Sequence, residues 1–285
     1  MKRPAELAAD ETAMLTLVEL TSAFEGIASL RISQTKSKVL QSTEFFKELW
    51  GIYSQLRVDD GFNFGRSDDA ESSLIEKQLY IIITAEGGFS GDIDLKLLKL
   101  MLADYDKETT DILVVGHHGA IQLAQRGVEY IKYYKLPSRD ERINSSPIVS
   151  TVQKYRSTVI YYQEYISLMN QEIRKIELVS SIQNKAQEGE ENIIDESTYI
   201  FEPNAYAVTA HLERSMMQIA ISQLILQSKL AQYASRFKAM SASHKRSEEE
   251  RADIHLNFNR SKRAIKDERL KEIINGLKKV RAGQA

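Results

Sequence analysis

The chain has 285 residues, 42% of them hydrophobic, and a formal net charge of -2. It is long enough to bury a core of one or two domains, and its overall charge gives no argument for nucleic acid or a membrane surface. It has no cysteine, which excludes disulfides and thiolate metal sites and agrees with a reducing compartment.

No uninterrupted apolar run approaches the roughly 20 residues of a membrane span. Met1 to Glu11 combines Lys2 and Arg3 with Glu6, Asp10 and Glu11, unlike a signal or transit peptide, so the chain is expected to stay where it is made. From Ala5 to Arg57 there is no proline and only Gly26 and Gly51, which predicts a long first helix. Met14, Leu17, Phe24 and Ala28 fall at heptad-like positions with Thr21 between, and Leu15, Val18 and Leu20 widen the apolar face. Residues 59–75 are rich in Gly, Asp and Ser and read as a surface linker.

The middle of the chain has a different pattern. Lys77 to Thr84 is a short β-branched and aromatic run ending in glycines, as in a buried strand. Asp94 to Asp106 reads as an amphipathic helix, and Asp111 to Val115 as a second buried strand. A short helix is predicted over Ala120 to Arg126, a third strand over Val128 to Tyr133, and a helix after Pro147 reaching Arg156. Val159 to Met169 and Glu172 to Ser180 read as strands, Gln183 to Glu196 as an acidic loop, and Tyr199 and Ile200 as a last strand. Strand and helix alternation implies a compact α/β domain over 76–202 with a largely parallel, Rossmann-like sheet.

Pro203 opens the final segment. Roughly 70 residues then pass without Gly or Pro, far beyond the usual helix of about 8–20 residues. Leu212, Met216, Ile219, Gln223, Leu226, Leu230, Tyr233, Phe237 and Met240 repeat with spacings of four and three. Such a seam demands a left-handed supercoil with a partner, and the long helix at the other end of the chain is the natural one. The expected fold is therefore an antiparallel two-helix coiled coil (1–58 and 203–285) carrying an inserted α/β domain.

Three places invite chemistry, and each has a plainer reading. Glu86 to Gly91 follows a strand, where phosphate loops occur. The string is neither G-x-G-x-x-G nor a P-loop, and Asp92 and Asp94 would repel a phosphate; Gly87, Gly88 and Gly91 read as the backbone freedom of a tight turn. His117 and His118 are adjacent, but the other histidines lie far off on the long helix, so they read as loop residues rather than metal ligands. Ser90 lacks the last glycine of a nucleophile elbow. No catalytic, cofactor or metal residue is assigned.

The order of long helix, α/β insert and long heptad helix resembles the gamma subunit family of F-type ATP synthases. Thr84 to Asp94 is similar to that family's T-S-D-R-G-L-C-G-G-x-N turn, with the glycine framework kept. Arg236 to Met240 resembles its R-M-x-A-M, and Asn259 to Ile273 its N-x-x-R-Q-A-x-I-T-x-E-I-x-E-I; Asn259, Ala264, Glu272, Ile273 and Gly276 fall on family positions. Leu20 to Ile27 is a weaker match to I-T-K-A-M-x-M-V. Glu19 and Glu25 stand where the family is basic, Lys262-Arg263 replaces its R-Q pair, and Lys266-Asp267 its I-T pair, as in a divergent member.

The resemblance implies a rotor without an active site or cofactor, on the cytoplasmic face of a bacterial plasma membrane. Its implied partners are the alpha and beta subunits, the epsilon subunit and the c-ring. Subunit contacts would fall at Thr21, Ala23, Phe24, Arg236, Met240, Asn259, Lys262, Arg263 and Glu272. A coiled-coil scaffold with a globular head, and a small enzyme or ligand-binding α/β domain using the Gly87–Gly91 turn, are the alternative readings.

Overall fold

The computed structural model describes residues 3–56, 74–137, 143–178, 202 and 205–282. Its elements, in chain order, are α1 (Pro4–Leu56), β1 (Ile75–Ile83), α2 (Ile93–Asp104), β2 (Thr110–Val115), α3 (His117–Gln125), β3 (Lys132–Tyr134), α4 (Ser146–Val152), β4 (Tyr155–Tyr165), β5 (Gln171–Glu177) and α5 (Ala205–Ala282). The class is mixed α/β, with long helices at both ends as expected. The linker 59–75, the acidic loop and the Tyr199–Ile200 strand fall largely or wholly outside the described residues.

Two compact units are present: Ala28–Phe237, and Met1–Ile27 with Lys238–Ala285. In the larger unit a five-stranded sheet has the order β3-β2-β1-β4-β5. β1 pairs parallel with β2 and β4, and β2 with β3. β5 pairs antiparallel with β4, which corrects the largely parallel sheet to a mixed one. The reason is the connection: only five residues, 166–170, join the two strands, and a parallel pairing needs a crossover of about a dozen. β4 also begins at Tyr155, within the stretch expected to be helical.

The central strands β1, β2 and β4 are apolar on both faces, as strands buried in a parallel sheet must be. Leu79, Ile81, Ile83, Leu113, Val115, Ile160 and Tyr162 face one way, onto α4 and the portions of α1 and α5 in this unit. Tyr80, Ile82, Ile112, Val114, Val159 and Tyr161 face the other way, onto α2 and α3. The second layer is fastened at its rim by Asp104, whose carboxylate accepts from Tyr161 Oη (2.9 Å) and Lys175 Nζ (2.7 Å).

The long helices run antiparallel within this unit: Tyr53 Oη donates to Glu213 Oε1 (2.8 Å) and Gln223 Nε2 to Thr43 Oγ1 (2.7 Å), ten residues apart on each. On α1, Ala28, Ile32, Thr35, Val39, Ser42, Phe46, Leu49 and Tyr53 are all shielded, at spacings of four and three. On α5 the sequence seam is shielded from Leu212 through Phe237.

The smaller unit repeats the arrangement with fewer apolar groups. Leu7, Glu11, Met14, Val18, Thr21 and Glu25 are shielded on α1, and Met240, His244, Ser247, Arg251, Ile254, Phe258 and Ser261 on α5. His255 Nδ1 lies 2.8 Å from Glu11 Oε1, and His244 Nδ1 3.2 Å from the Val18 carbonyl. Leu17 and Phe24, expected on the seam, are exposed instead, together with Leu20 and Ile27. The shielded line steps by four from Met14 to Val18 and from Thr21 to Glu25, so Leu17 and Phe24 each sit one residue, about 100° of helix, off it. Residues 262–278 of α5 are exposed on every side.

α1 also meets, by length and composition alone, the requirement for a membrane span, with 11% of the relevant window buried. Glu19 and Glu25 interrupt its apolar residues, so the sequence holds no continuous apolar run there.

Candidate functional site

β1 continues through α2 to β2 on one side, and its other neighbour, β4, continues to β5 on the opposite side, so the connections leaving β1 and β4 diverge at their carboxyl ends. In open α/β sheets that divergence makes the crevice where ligands bind. Here the crevice carries the Thr84–Gly91 turn, Asp94 at the start of α2, and Gln163 near the end of β4.

Asp94 is 1% exposed. Its carboxylate accepts from Ala85 N–H (3.2 Å), Gln163 Nε2 (2.7 Å) and His118 Nδ1 (2.8 Å). Gln163 Oε1 in turn accepts from Ser228 Oγ and from Gln232 Nε2 (3.3 Å), both on α5. One turn further along α5, Ser235 Oγ donates to the Ser90 carbonyl (2.6 Å). Arg236 donates from Nε to the Gly88 carbonyl (3.0 Å), and from Nη2 to the Gly87 carbonyl (3.2 Å) and Ser90 Oγ (3.1 Å). Gln163 and the Gly87–Ser90 turn take partners from the protein's own long helix, whereas Asp94 takes its partners from Ala85, His118 and Gln163.

The electrostatics follow from this closure. Burial lowers the Arg236 guanidinium from its ordinary value, against the attraction of nearby Tyr233 and Asp94. The hydrogen bond to Asp94 raises His118, with partial burial opposing it. His117 turns elsewhere, its ring 6.2 Å from that of Tyr133. Among the described residues no three His, Cys, Asp or Glu side chains converge on a metal position.

The turn depends on backbone freedom at two places. Gly91 adopts φ +65. Gly116, after β2, has φ +99, and a Cβ there would lie 2.0 Å from the Thr84 carbonyl oxygen. Phe89 also takes φ 66, without being glycine, and its ring is exposed.

Of the residues singled out by sequence, Gly87, Gly88, Gly91 and Arg236 come together in this crevice. Thr21 and Met240 lie in the smaller unit, Met240 buried and Thr21 3.4 Å from His244 Nδ1. Ala23, Phe24, Lys262, Arg263 and Glu272 are exposed, and Asn259 is half-buried; Lys262 Nζ stands 5.7 Å over the Phe258 ring. Sequence reasoning missed Gln163, Ser228, Gln232 and Ser235, and took Asp94 only as a charge that repels phosphate. A signal existed on α5: Ser228, Gln232 and Ser235 form an i, i+4, i+7 polar stripe inside an apolar stretch, a spacing that marks one helix face.

A family model described as ATP synthase matches residues 14–280. The chain is 21% identical over 275 residues to the ATP synthase gamma chain of Cytophaga hutchinsonii, covering 90% of this chain and 92% of that one. It is 22% identical over 273 residues to the ATP synthase gamma chain of Mycoplasmoides gallisepticum, covering 92% and 94%. Among solved structures, a chain of the Euglena gracilis mitochondrial ATP synthase (OSCP/F1/c-ring, rotational state 3) superposes with a TM-score of 0.61 at 15% identity, over 98% of this chain and 97% of that one. A chain of the Tetrahymena thermophila mitochondrial ATP synthase central stalk and c-ring gives 0.54 at 14%, over 78% and 98%.

Proposed function

Because the chain belongs to the ATP synthase family, we propose that it is the central-stalk rotor, the gamma chain, of an F-type ATP synthase. It couples rotation of a membrane c-ring to the conformational cycle of an alpha/beta hexamer, and holds no active site itself. The observation that carries the reading is α5: one unbroken 78-residue helix, exposed on every side over 262–278, in a chain that matches the family from residue 14 to 280.

A helix that length reaches about 115 Å at 1.5 Å per residue. Paired with α1 in a left-handed coiled coil, it is a stiff shaft. The four-and-three spacing of shielded positions supports that pairing. Apolar side chains left outside the seam (Leu17, Leu20, Phe24 and Ile27 on α1; Leu270, Ile273, Ile274 and Leu277 on α5) give the shaft faces that suit the hexamer's inner wall. The same placement directs the apolar stretch of α1 toward protein rather than lipid. The mechanism is differential contact: an asymmetric shaft favours a different state in each surrounding subunit, and rotation passes that preference around the ring.

Within this reading the chain divides into helix 1–58, linker 59–75, head 76–202 and helix 203–285. The head meets the epsilon subunit and c-ring, on the cytoplasmic face of a bacterial plasma membrane. Ala23, Phe24, Asn259, Lys262, Arg263 and Glu272 contact the hexamer. A role without catalysis is consistent with the crevice, where Asp94 is engaged by Ala85, His118 and Gln163, and Gln163 and the Gly87–Ser90 turn by α5.

The test is reconstitution with alpha and beta subunits from the same genome. A stable hexamer-plus-one complex whose ATP hydrolysis depends on this chain is the expected result. A competent hexamer that leaves the chain behind would overturn the rotor reading.

A further inference from the structure

We infer that Asp94, Gln163, Ser228 and Gln232, with Ser235 and Arg236 gripping the Gly87–Ser90 turn, act as positioning residues that register the α/β head on the long helix. This rests on the rotor reading. A rotor head must turn its helix without slipping, and an apolar interface resists separation far better than sliding, because hydrophobic attraction is non-directional. The apolar contact between the sheet and α5 (Met216, Met217, Ala220, Ile221, Leu224, Ile225) is of that kind.

Within that stripe Ser145 Oγ donates to the Gln218 carbonyl and accepts from Ser222 Oγ, and a denser set of directional contacts follows it. Ser228 and Gln232 bond Gln163 of β4, which bonds Asp94 of α2, so one helix face is tied to two separate elements of the head. Arg236 adds three bonds and Ser235 one, all to the single turn that follows β1. Gln163 and Ser228 are fully buried, so water cannot replace a broken bond without opening the core. A rotation of α5 by one residue would point every one of these groups elsewhere.

The experiment uses the assembled complex in vesicles, comparing ATP hydrolysis with ATP-driven charge transport followed by a membrane-potential dye. Gln163→Leu and Arg236→Ala should lower transport per ATP hydrolysed by about two-fold or more, with hydrolysis per assembled complex little changed. Arg236→Lys, which keeps the charge, should recover part of the loss. Ser235→Ala, a milder change that leaves the fold least disturbed, should give a smaller drop. A role in stability alone would reduce the yield of complex and leave the ratio untouched. Assembled variants with an unchanged ratio overturn the inference while the rotor reading stands. Wild-type chain that never joins the complex overturns both.

Discussion

Replacing Asp94 by Asn, at nearly constant size, perturbs the buried bridge at its most connected atom pair. The carboxylate accepts three hydrogen bonds, two on Oδ2 from Ala85 N–H and His118 Nδ1, and one on Oδ1 from Gln163 Nε2. An amide supplies one acceptor oxygen and one donor nitrogen. With nitrogen in the Oδ2 position, His118 can adapt by changing tautomer, but the Ala85 amide is left facing a donor. With nitrogen in the Oδ1 position, the Gln163 amide can flip, but its oxygen then turns away from Ser228 and Gln232. Either way a buried donor loses its acceptor, at about 1–3 kcal/mol, and the remaining bonds lose their charge. We expect a total loss of about 2–4 kcal/mol in denaturant unfolding of the isolated chain.

The size of that loss depends on pH, and the sign follows from His118. Its bond to Asp94 raises it above the ordinary value of 6.5. Stability from the pair is therefore complete below that value and fades as pH rises through the raised folded-state value. The gap between wild type and Asp94→Asn is expected to be widest below the ordinary value of 6.5 and to narrow as pH rises above it. Equal stability of the two proteins, or a gap independent of pH, would refute the reasoning.

Three further substitutions test separate features. Gly116→Ala forces a Cβ to within 2.0 Å of the Thr84 carbonyl oxygen, whereas Gly127, at φ +68, has nothing within 4 Å. Thermal melts should show a loss above about 3 kcal/mol at Gly116 and about 1 kcal/mol for Gly127→Ala; equal losses would show that the contact is not rigid. Phe89→Gly removes a side chain held at φ 66 and should raise stability by about 0.5 kcal/mol, the left-handed strain relieved less the extra chain entropy of glycine; a loss in denaturant unfolding contradicts this. Gln223 Oε1 is buried with no hydrogen-bond partner among the described residues. Gln223→Leu should therefore leave stability unchanged or raise it by up to about 1 kcal/mol, despite losing the Thr43 contact; a cost above about 1 kcal/mol would mean that contact dominates.

The sequence made the core elements legible because buried strands and long helices have strong periods. Lys77 to Thr84 and Asp111 to Val115 lie close to β1 and β2, and the α5 seam from Leu212 to Met240 is shielded throughout. What it hid has physical causes. The antiparallel pairing of β5, a half-exposed edge strand, was legible only in the short connection 166–170, which the strand and helix alternation before it outweighed. On the first half of α1 the more apolar face is the outward one, so Leu17 and Phe24 were taken for the seam with Met14, Thr21 and Ala28, while Glu11 and Glu25, shielded in the structure, were not. The bridge through Gln163 escaped because its members come from β1's turn, α2, β4 and α5, and only folding brings them within reach. Arg236 was found by its resemblance to a family motif, and its bonds to Gly87 and Gly88 could not have been inferred from spacing.

The pairing of Tyr53 with Glu213 has a consequence for how the chain is made. The two residues are 160 positions apart, so α1 leaves the ribosome long before the helix that covers it exists. At about 5–20 residues per second, the interval is on the order of ten to thirty seconds. Throughout it, Phe46, Tyr53 and the inner face of α1 have no partner on α5, and the exposed stripe of Leu17, Leu20, Phe24 and Ile27 adds to the sticky surface. A nascent chain in that state is a substrate for holdase chaperones, and its yield in a cell should follow the supply of chaperone more closely than the stability of the finished fold.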